Sequence, residues 1–238
     1  MATPTLQELP PELTDRANAF RARPDVLAAL QGLDWTLGIA DLEHVLSFQK
    51  TVVEDHALDH VAGAEANDFA GLFPICLPDP AGPINIECAV DADHKGLTFV
   101  SSNPNLRLGG HVIQQAEIPA AAGQPTQRLN VAGFIFNFGA PFIQIAEFNR
   151  RWFIRDGYHR CYGFLRRGIR HIPCVFVHAR NFDELGANQP AFIRQEVLFG
   201  EKPPFVKDFL DDRVSATTQH KDIRKILRVS AQEFLIQL

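Results

Sequence analysis

The sequence is poor in the residues that mark several well-known classes of protein. Its four cysteines, Cys76, Cys88, Cys161 and Cys174, form no Cys-x-x-Cys pair, which excludes zinc knuckles and thioredoxin motifs. No apolar run approaches the length that spans a bilayer, and the first twenty residues lack the basic and apolar regions of an export signal. We therefore predict a cytoplasmic protein without a membrane partner, in which Cys161 and Cys174 are reduced, small core residues.

Methionine, tryptophan and tyrosine are scarce as well, with 1, 2 and 2 copies, whereas phenylalanine occurs 19 times among the 238 residues. A phenylalanine ring has no polar group, so most of these rings are expected in a core or at a partner surface. Apolar residues make up 46% and charged residues 21% of the chain, which is typical of globular proteins. The composition predicts a folded protein with a large core and is compatible with a homodimer.

Positive charge is lacking in the first part of the chain and concentrated in the second. Lys and Arg number 7 against 17 Asp and Glu in residues 1–139, but 16 against 11 in residues 140–238. The basic second part suits an anionic ligand such as a nucleotide, while its small excess gives only weak support for duplex DNA as a partner. Solvated surface charge is the equally weighted alternative.

The order of local patterns predicts an α+β fold with a helical N-terminal section. Residues 12–31 are typical of one or two short helices, and the spacing of apolar residues in 38–62 favours an amphipathic helix capped by Asp41. Prolines mark 73–85 as a loop, after which short β-branched and aromatic runs predict strands. We expect a helical section, 1–72, packed on a strand-rich core, 73–238.

The segment 202–212 combines two adjacent prolines with apolar residues. Pro203 and Pro204 favour a rigid extended backbone, and Phe205 and Phe209 are suited to packing. This pattern predicts a clasp across the body of the domain, with docking of a partner as the alternative.

Residues 141–178 carry the most specific pattern in the chain. Alternating apolar residues predict a strand and a tight turn returns the chain into a second strand. An Asp-Gly pair then breaks this strand, and a helix, a glycine and a continuous apolar strand follow. The two strands are expected at 142–148 and 152–154, with the turn at 149–150 between them and the break at 156–157. The helix is expected at 159–167, the glycine at 168 and the last strand at 174–177.

The predicted strand-to-helix turn has the chemistry of an anion site. Gly157 tolerates a positive φ and lets the backbone come close to a ligand, and a helix start offers unpaired N–H groups. Arg160 can bind a phosphate through two N–H groups, and His159 can donate to one. Asp156 can cap the helix, help to hold a metal ion or orient His159.

The order strand, Asp-Gly-x-His-Arg, helix, Gly, x-x-Pro and apolar strand resembles the ParB/sulfiredoxin-like superfamily and its DGQHR-type relatives. This resemblance covers about a sixth of the chain, residues 141–178, and implies a mixed-sheet core whose turn lies against the phosphates of a nucleotide. It implies phosphate contacts from Gly157, Tyr158, His159 and Arg160, catalytic roles for Asp156 and His159, and Mg²⁺ bound with the nucleotide.

The sequence also departs from two branches of that superfamily. Sulfiredoxins have their catalytic cysteine directly before the His-Arg pair, where this chain has Tyr158, so reduction of sulfinic acids is not expected. ParB partition proteins have Glu-Arg-Arg at this turn and a helix-turn-helix domain after it. Residues 180–238 show no such pattern, so partition at centromere-like DNA is not expected either.

These patterns predict a nucleotide-binding protein that cleaves or transfers a phosphate of a nucleoside triphosphate of the ATP or CTP class. The alternative function is a non-catalytic, nucleotide-gated regulator that binds a protein or DNA partner. A third interpretation needs no ligand, since Asp-Gly is a common turn and His159 and Arg160 would then point to solvent.

A second candidate lies at His56 and His60, which are four residues apart on a predicted helix. This spacing can bind zinc. The metalloprotease motif requires Glu after its first histidine, and Ala57 occupies that position. A solvated acidic helix face is the alternative interpretation.

Overall fold

The computed structural model describes residues 4–79, 86–92, 95–101, 106–118, 127–137, 142–186, 192–219, 221, 225–230 and 232. Its helices are α1 (Thr14–Arg21), α2 (Pro24–Ala29), α3 (Glu54–His60), α4 (Phe69–Cys76), α5 (Tyr158–Arg166) and α6 (Gln195–Leu198). Its strands are β1 (Trp35–Asp41), β2 (Val45–Leu46), β3 (Glu87–Val90), β4 (Gly96–Ser101), β5 (Arg107–Ile118), β6 (Gln127–Asn137), β7 (Gln144–Phe148), β8 (Arg151–Asp156), β9 (His171–His178) and β10 (Lys225–Ser230). The fold is α+β, as predicted.

The contacts within the chain divide it into two compact units. Unit 1 comprises Met1–Ala81 and Ala140–Thr218, and unit 2 comprises Gly82–Gly139 and Gln219–Leu238. These bounds differ from the expected 1–72 and 73–238, because the N-terminal part supplies β1 and β2 to the sheet that contains β7, β8 and β9.

Unit 1 is built around a mixed five-stranded sheet with the order β1-β9-β7-β8-β2. Antiparallel pairs join β1 to β9 and β7 to β8, while β7 is parallel to β9 and β2 is parallel to β8. Residues 172–177 of β9 are all buried, which explains the continuous apolar run there. The sheet therefore supplies a core that is covered on both faces.

The predicted order of elements in residues 141–178 is confirmed. Asn149 and Arg150 have φ of 52° and 59°, the left-handed pair that a two-residue hairpin requires. After the C-terminal end of α5, Gly168 has φ of 74°. The N–H of Ile169 donates to the carbonyl of Phe164 over 2.8 Å, which closes a Schellman motif.

The predicted helix over 38–62 is wrong for most of its length. The chain forms β1, a 3-10 turn at Leu42–His44 and β2, and only α3 at the end of the range is helical. Residues 37–40 are all buried, as in a strand with two covered faces, and such runs imitate helical spacing. Asp41 does cap, but it accepts the Glu43 N–H of the 3-10 turn at 3.0 Å.

Other local predictions have mixed outcomes. The short helices expected in 12–31 are present as α1 and α2. The loop expected at 73–85 begins later, because α4 continues through Pro74 to Cys76, and residues 80–85 lie outside the described ranges. The clasp is confirmed, since the Ser47 N–H donates to the Pro204 carbonyl over 3.0 Å and the Phe209 ring lies 6.4 Å from that of Tyr162.

Unit 2 contains a three-stranded antiparallel sheet, β10-β4-β3, and a long two-stranded ribbon, β5-β6. The ribbon's register places its residues on two different faces. One face carries the exposed apolar side chains Val112, Leu129, Val131 and Ile135. The opposite face carries the ion pair between Glu117 and Arg128 together with the exposed Ile113. Both faces of the ribbon therefore expose large apolar side chains.

Among the described residues, no helix has both the length and the apolar character that a bilayer span requires.

Candidate functional site

The turn of residues 156–160, which joins β8 to α5, has a backbone that only glycine fits. Gly157 has φ of 94°, and a Cβ there would lie 2.8 Å from Cγ1 of Ile143. The Asp156 carboxylate accepts the N–H of Gly157 over 2.7 Å, and α5 begins at the next residue. A buried neighbour and a left-handed backbone both require glycine here.

Tyr158 faces the core of unit 1. Its Oη accepts the N–H of Phe48 over 3.0 Å, and its side chain is 5% exposed. Burial raises the pKa of this phenol. The side chain thus ties the start of α5 to the segment after β2.

Arg160 connects α5 to the end of α4. Its Nη1 donates to the carbonyl of Ile75 over 2.9 Å, in the last turn of a helix, where a cation is favoured by the helix dipole. Burial lowers the pKa of this guanidinium. A guanidinium has five N–H donors, so the bond to Ile75 fixes its position and leaves further donors in the same plane.

His159 lies next to the two histidines of α3. The ring centroids are 5.0 Å apart for His56 and His159 and 4.2 Å apart for His56 and His60. The two helices approach closely at Gly163, which has no side chain to keep them apart. A Cβ at this position would lie 2.6 Å from the carbonyl oxygen of Ala57. This packing unites candidates that are about a hundred residues apart in the sequence.

Burial and the charges of neighbouring groups lower the pKa values of His56 and His159. Burial, followed by the charges of His56 and His60, lowers the pKa of His159 to about 4. Burial also lowers the pKa of His56, with further lowering by His60 and Arg160 and an opposite effect of Asp59. Near neutral pH, His159 is therefore a neutral hydrogen-bonding group.

The structure places His159 beside His56, but it does not complete the metal site predicted at His56 and His60. Within the ranges described here, no group of three or more His, Cys, Asp or Glu side chains is arranged to hold a metal ion. Magnesium keeps several waters and is usually bound by one or two carboxylates together with substrate phosphates. Asp156 fits that pattern only when a phosphate is bound beside it.

The cysteines near the turn are core residues, as predicted for Cys161 and Cys174. Both are fully buried and unpaired, as is Cys76. Burial raises the pKa of the Cys161 thiol to about 12 and also raises the pKa of Cys174. A protonated, inaccessible thiol is not a nucleophile.

Sequence reasoning treated His159 and the α3 pair as separate candidates and missed their association. One signal was available, since a glycine inside a helical pattern indicates a close approach. Gly163 is such a glycine, but the sequence alone does not name the helix that approaches it.

No protein-family model, curated protein or solved structure matches this chain. The resemblance of residues 141–178 to ParB/sulfiredoxin-like proteins therefore stays a prediction from the sequence.

Proposed function

We propose that this protein binds a nucleoside triphosphate of the ATP or CTP class with its phosphates at the 156–160 turn, and that it cleaves or transfers a phosphate. The observation that carries the proposal is the left-handed Gly157 directly before α5, with His159 and Arg160 in the first turn of that helix. A helix start of this kind offers N–H groups and a partial positive charge to an anion.

Each side chain of the turn has a role in this proposal. Arg160, fixed by the carbonyl of Ile75, neutralises charge on the phosphate that is cleaved or transferred. The neutral His159 donates a hydrogen bond to a phosphate oxygen or orients the attacking group. Asp156 orients that group or accepts its proton, while the Tyr158 side chain supports the turn from the core.

Magnesium would enter this site together with the nucleotide. Asp156 supplies one carboxylate oxygen, and phosphate oxygens and water supply the remaining ligands. When bound, Mg²⁺ would neutralise part of the triphosphate charge. The chain's own contribution is to hold the carboxylate beside the helix start.

The second candidate function is a non-catalytic regulator gated by the same nucleotide, with a protein or DNA partner. Tyr158 bonds the turn to Phe48, and Arg160 bonds it to Ile75, so a ligand that shifts the turn would shift two other segments of unit 1. The face of the β5-β6 ribbon that carries Val112 offers a surface for a protein partner, including a second copy of the chain.

Binding is tested by a thermal-shift panel of ATP, ADP, CTP, GTP and AMP, with and without Mg²⁺. Ligand at a hundred times its dissociation constant adds about 2.7 kcal/mol to the free energy of unfolding, which raises the melting temperature by roughly 5–10 °C. We expect this shift with one nucleotide and its loss in the variant His159→Ala/Arg160→Ala. Arg166→Ala, at the far end of α5, is the matched control and should retain the shift.

The absence of a shift with any nucleotide, in a protein that melts cooperatively, would refute nucleotide binding. If a nucleotide binds, phosphate release separates the two candidates. The enzyme predicts product that disappears in Asp156→Asn while binding persists, and the regulator predicts binding without product.

A further inference from the structure

We propose that His56 and His60 of α3 extend the phosphate site of the 156–160 turn, and that binding of a polyphosphate at this enlarged site takes up a proton from solution. This inference rests on the proposed function and adds to it a second set of binding residues and a dependence on pH.

The positions of the three histidine rings are the first evidence for an enlarged site. His56 lies between the other two histidines, with ring centroids 4.2 Å from His60 and 5.0 Å from His159. His56 and His159 are half-buried, and His60 is exposed, so the row of rings leads from the helix start to solvent. A single phosphate occupies the helix start, whereas a chain of phosphates can continue along this row.

The charges near the row are mixed. Arg160 lowers and Asp59 raises the pKa of His56, and Asp156 lies close enough to Arg160 to act on its pKa. Glu54 is bonded to Tyr162 and Arg166 of α5. From α4, the group near Arg160 is the neutral thiol of Cys76. An anion would relieve the repulsion among the nitrogen-bearing groups.

The tautomer of His60 shows why a proton is needed. Its Nδ1 lies 2.8 Å from the carbonyl oxygen of His56, and a carbonyl only accepts, so Nδ1 carries the hydrogen. In the neutral ring, Nε2 is then an acceptor and repels a phosphate oxygen. Protonation of Nε2 turns it into a donor with a positive charge, so phosphate binding and proton uptake occur together.

Linkage fixes the direction of the pH dependence. The bound state holds more protons than the free state, so the dissociation constant falls as the pH falls, by up to about tenfold per pH unit for each proton taken up. This tightening is expected at pH values between the pKa of the ring in the free protein and its higher pKa in the complex.

The test uses the full chain and inorganic triphosphate, which has no base or sugar. Calorimetry at pH 7.0 in two buffers with different ionisation enthalpies measures the protons taken up on binding. The double variant His56→Gln/His60→Gln is compared with wild type, since the difference cancels the ligand's own ionisation. His178→Gln, an exposed histidine paired with Glu147 in unit 1, is the matched control.

We expect wild type and the control to take up between about half a proton and one proton more than the double variant, and the double variant to bind about tenfold more weakly. Proton NMR of the histidine rings in wild type provides a second measurement that needs no variant. At least one ring should titrate about one pH unit higher when triphosphate is present.

Three results separate the possible failures. Equal proton uptake and affinity in wild type and the double variant would overturn the inference and leave nucleotide binding intact. Histidine pKa values that do not move when triphosphate binds would overturn it in the same way. No binding of triphosphate or of any nucleotide by wild type would refute the proposed function and this inference together.

Discussion

The two units of the chain differ in how far their apolar side chains are buried. Unit 1 holds nearly all of the buried side chains, packed between its sheet and its helices, whereas the described part of unit 2 buries few, among them Phe99 and Leu106. Most of the large apolar side chains that are exposed lie in unit 2, including Val112, Ile113 and Ile135. Strand patterns are clear in both units, so alternation creates an apolar face but does not decide what covers it.

Removing a ring from the core of unit 1 should have the largest effect. Phe153 is fully buried, and its ring stacks on Phe48 with centroids 5.3 Å apart. We expect Phe153→Ala to lower the free energy of unfolding by about 3–5 kcal/mol, because the cavity cannot collapse completely. Urea denaturation measures this change, and a loss below about 1 kcal/mol would show that this core is loosely packed.

The two units should also differ in how well they tolerate an added methyl group. At Gly163 a Cβ would meet the backbone oxygen of Ala57 at 2.6 Å, whereas at Gly133 in β6 it would meet only a methyl group of Val112 at 3.2 Å. We expect Gly163→Ala to cost about 1–3 kcal/mol because α3 and α5 must move apart. Gly133→Ala is the comparison variant and should cost less, as measured by thermal melting, and the opposite order would contradict the α3–α5 packing.

Acid should destabilise unit 1 through His159. Its pKa is about 4 in the folded protein and near 6.5 in an unfolded chain. The unfolded state therefore binds more protons between these values, and stability falls as the pH is lowered from about 6.5 to 4, by on the order of 2 kcal/mol. His159→Gln should flatten this part of the stability profile, and an unchanged slope would remove His159 as its cause.

The smallest effect is expected on the ribbon of unit 2. The Ile113 side chain is 68% exposed, so Ile113→Ala should change the free energy of unfolding by less than about 0.5 kcal/mol. Chemical denaturation at two protein concentrations measures it. A loss of several kcal/mol would show that this side chain is covered in solution, and a dependence on concentration would identify the cover as a second copy of the chain.

Local patterns were reliable where neighbouring residues decide the structure. The hairpin at Asn149 and Arg150, the break at Gly157 and the end of α5 at Gly168 follow from turn and capping chemistry within a few residues. The helix predicted across 38–62 was wrong because β1 lies inside the sheet. Burial of both its faces removed the alternation that distinguishes a strand from a helix.

By itself, the sequence determined the strand–strand–helix–strand order of residues 144–178 and the glycine turn before α5, because both depend on local backbone conformation. Only the tertiary structure decided which groups meet at that turn. It placed Tyr158 in the core, tied Arg160 to Ile75 and brought α3 against α5, so that His56 and His60 lie beside His159. The physical reason is that such neighbours are set by packing between distant segments, which no local pattern records.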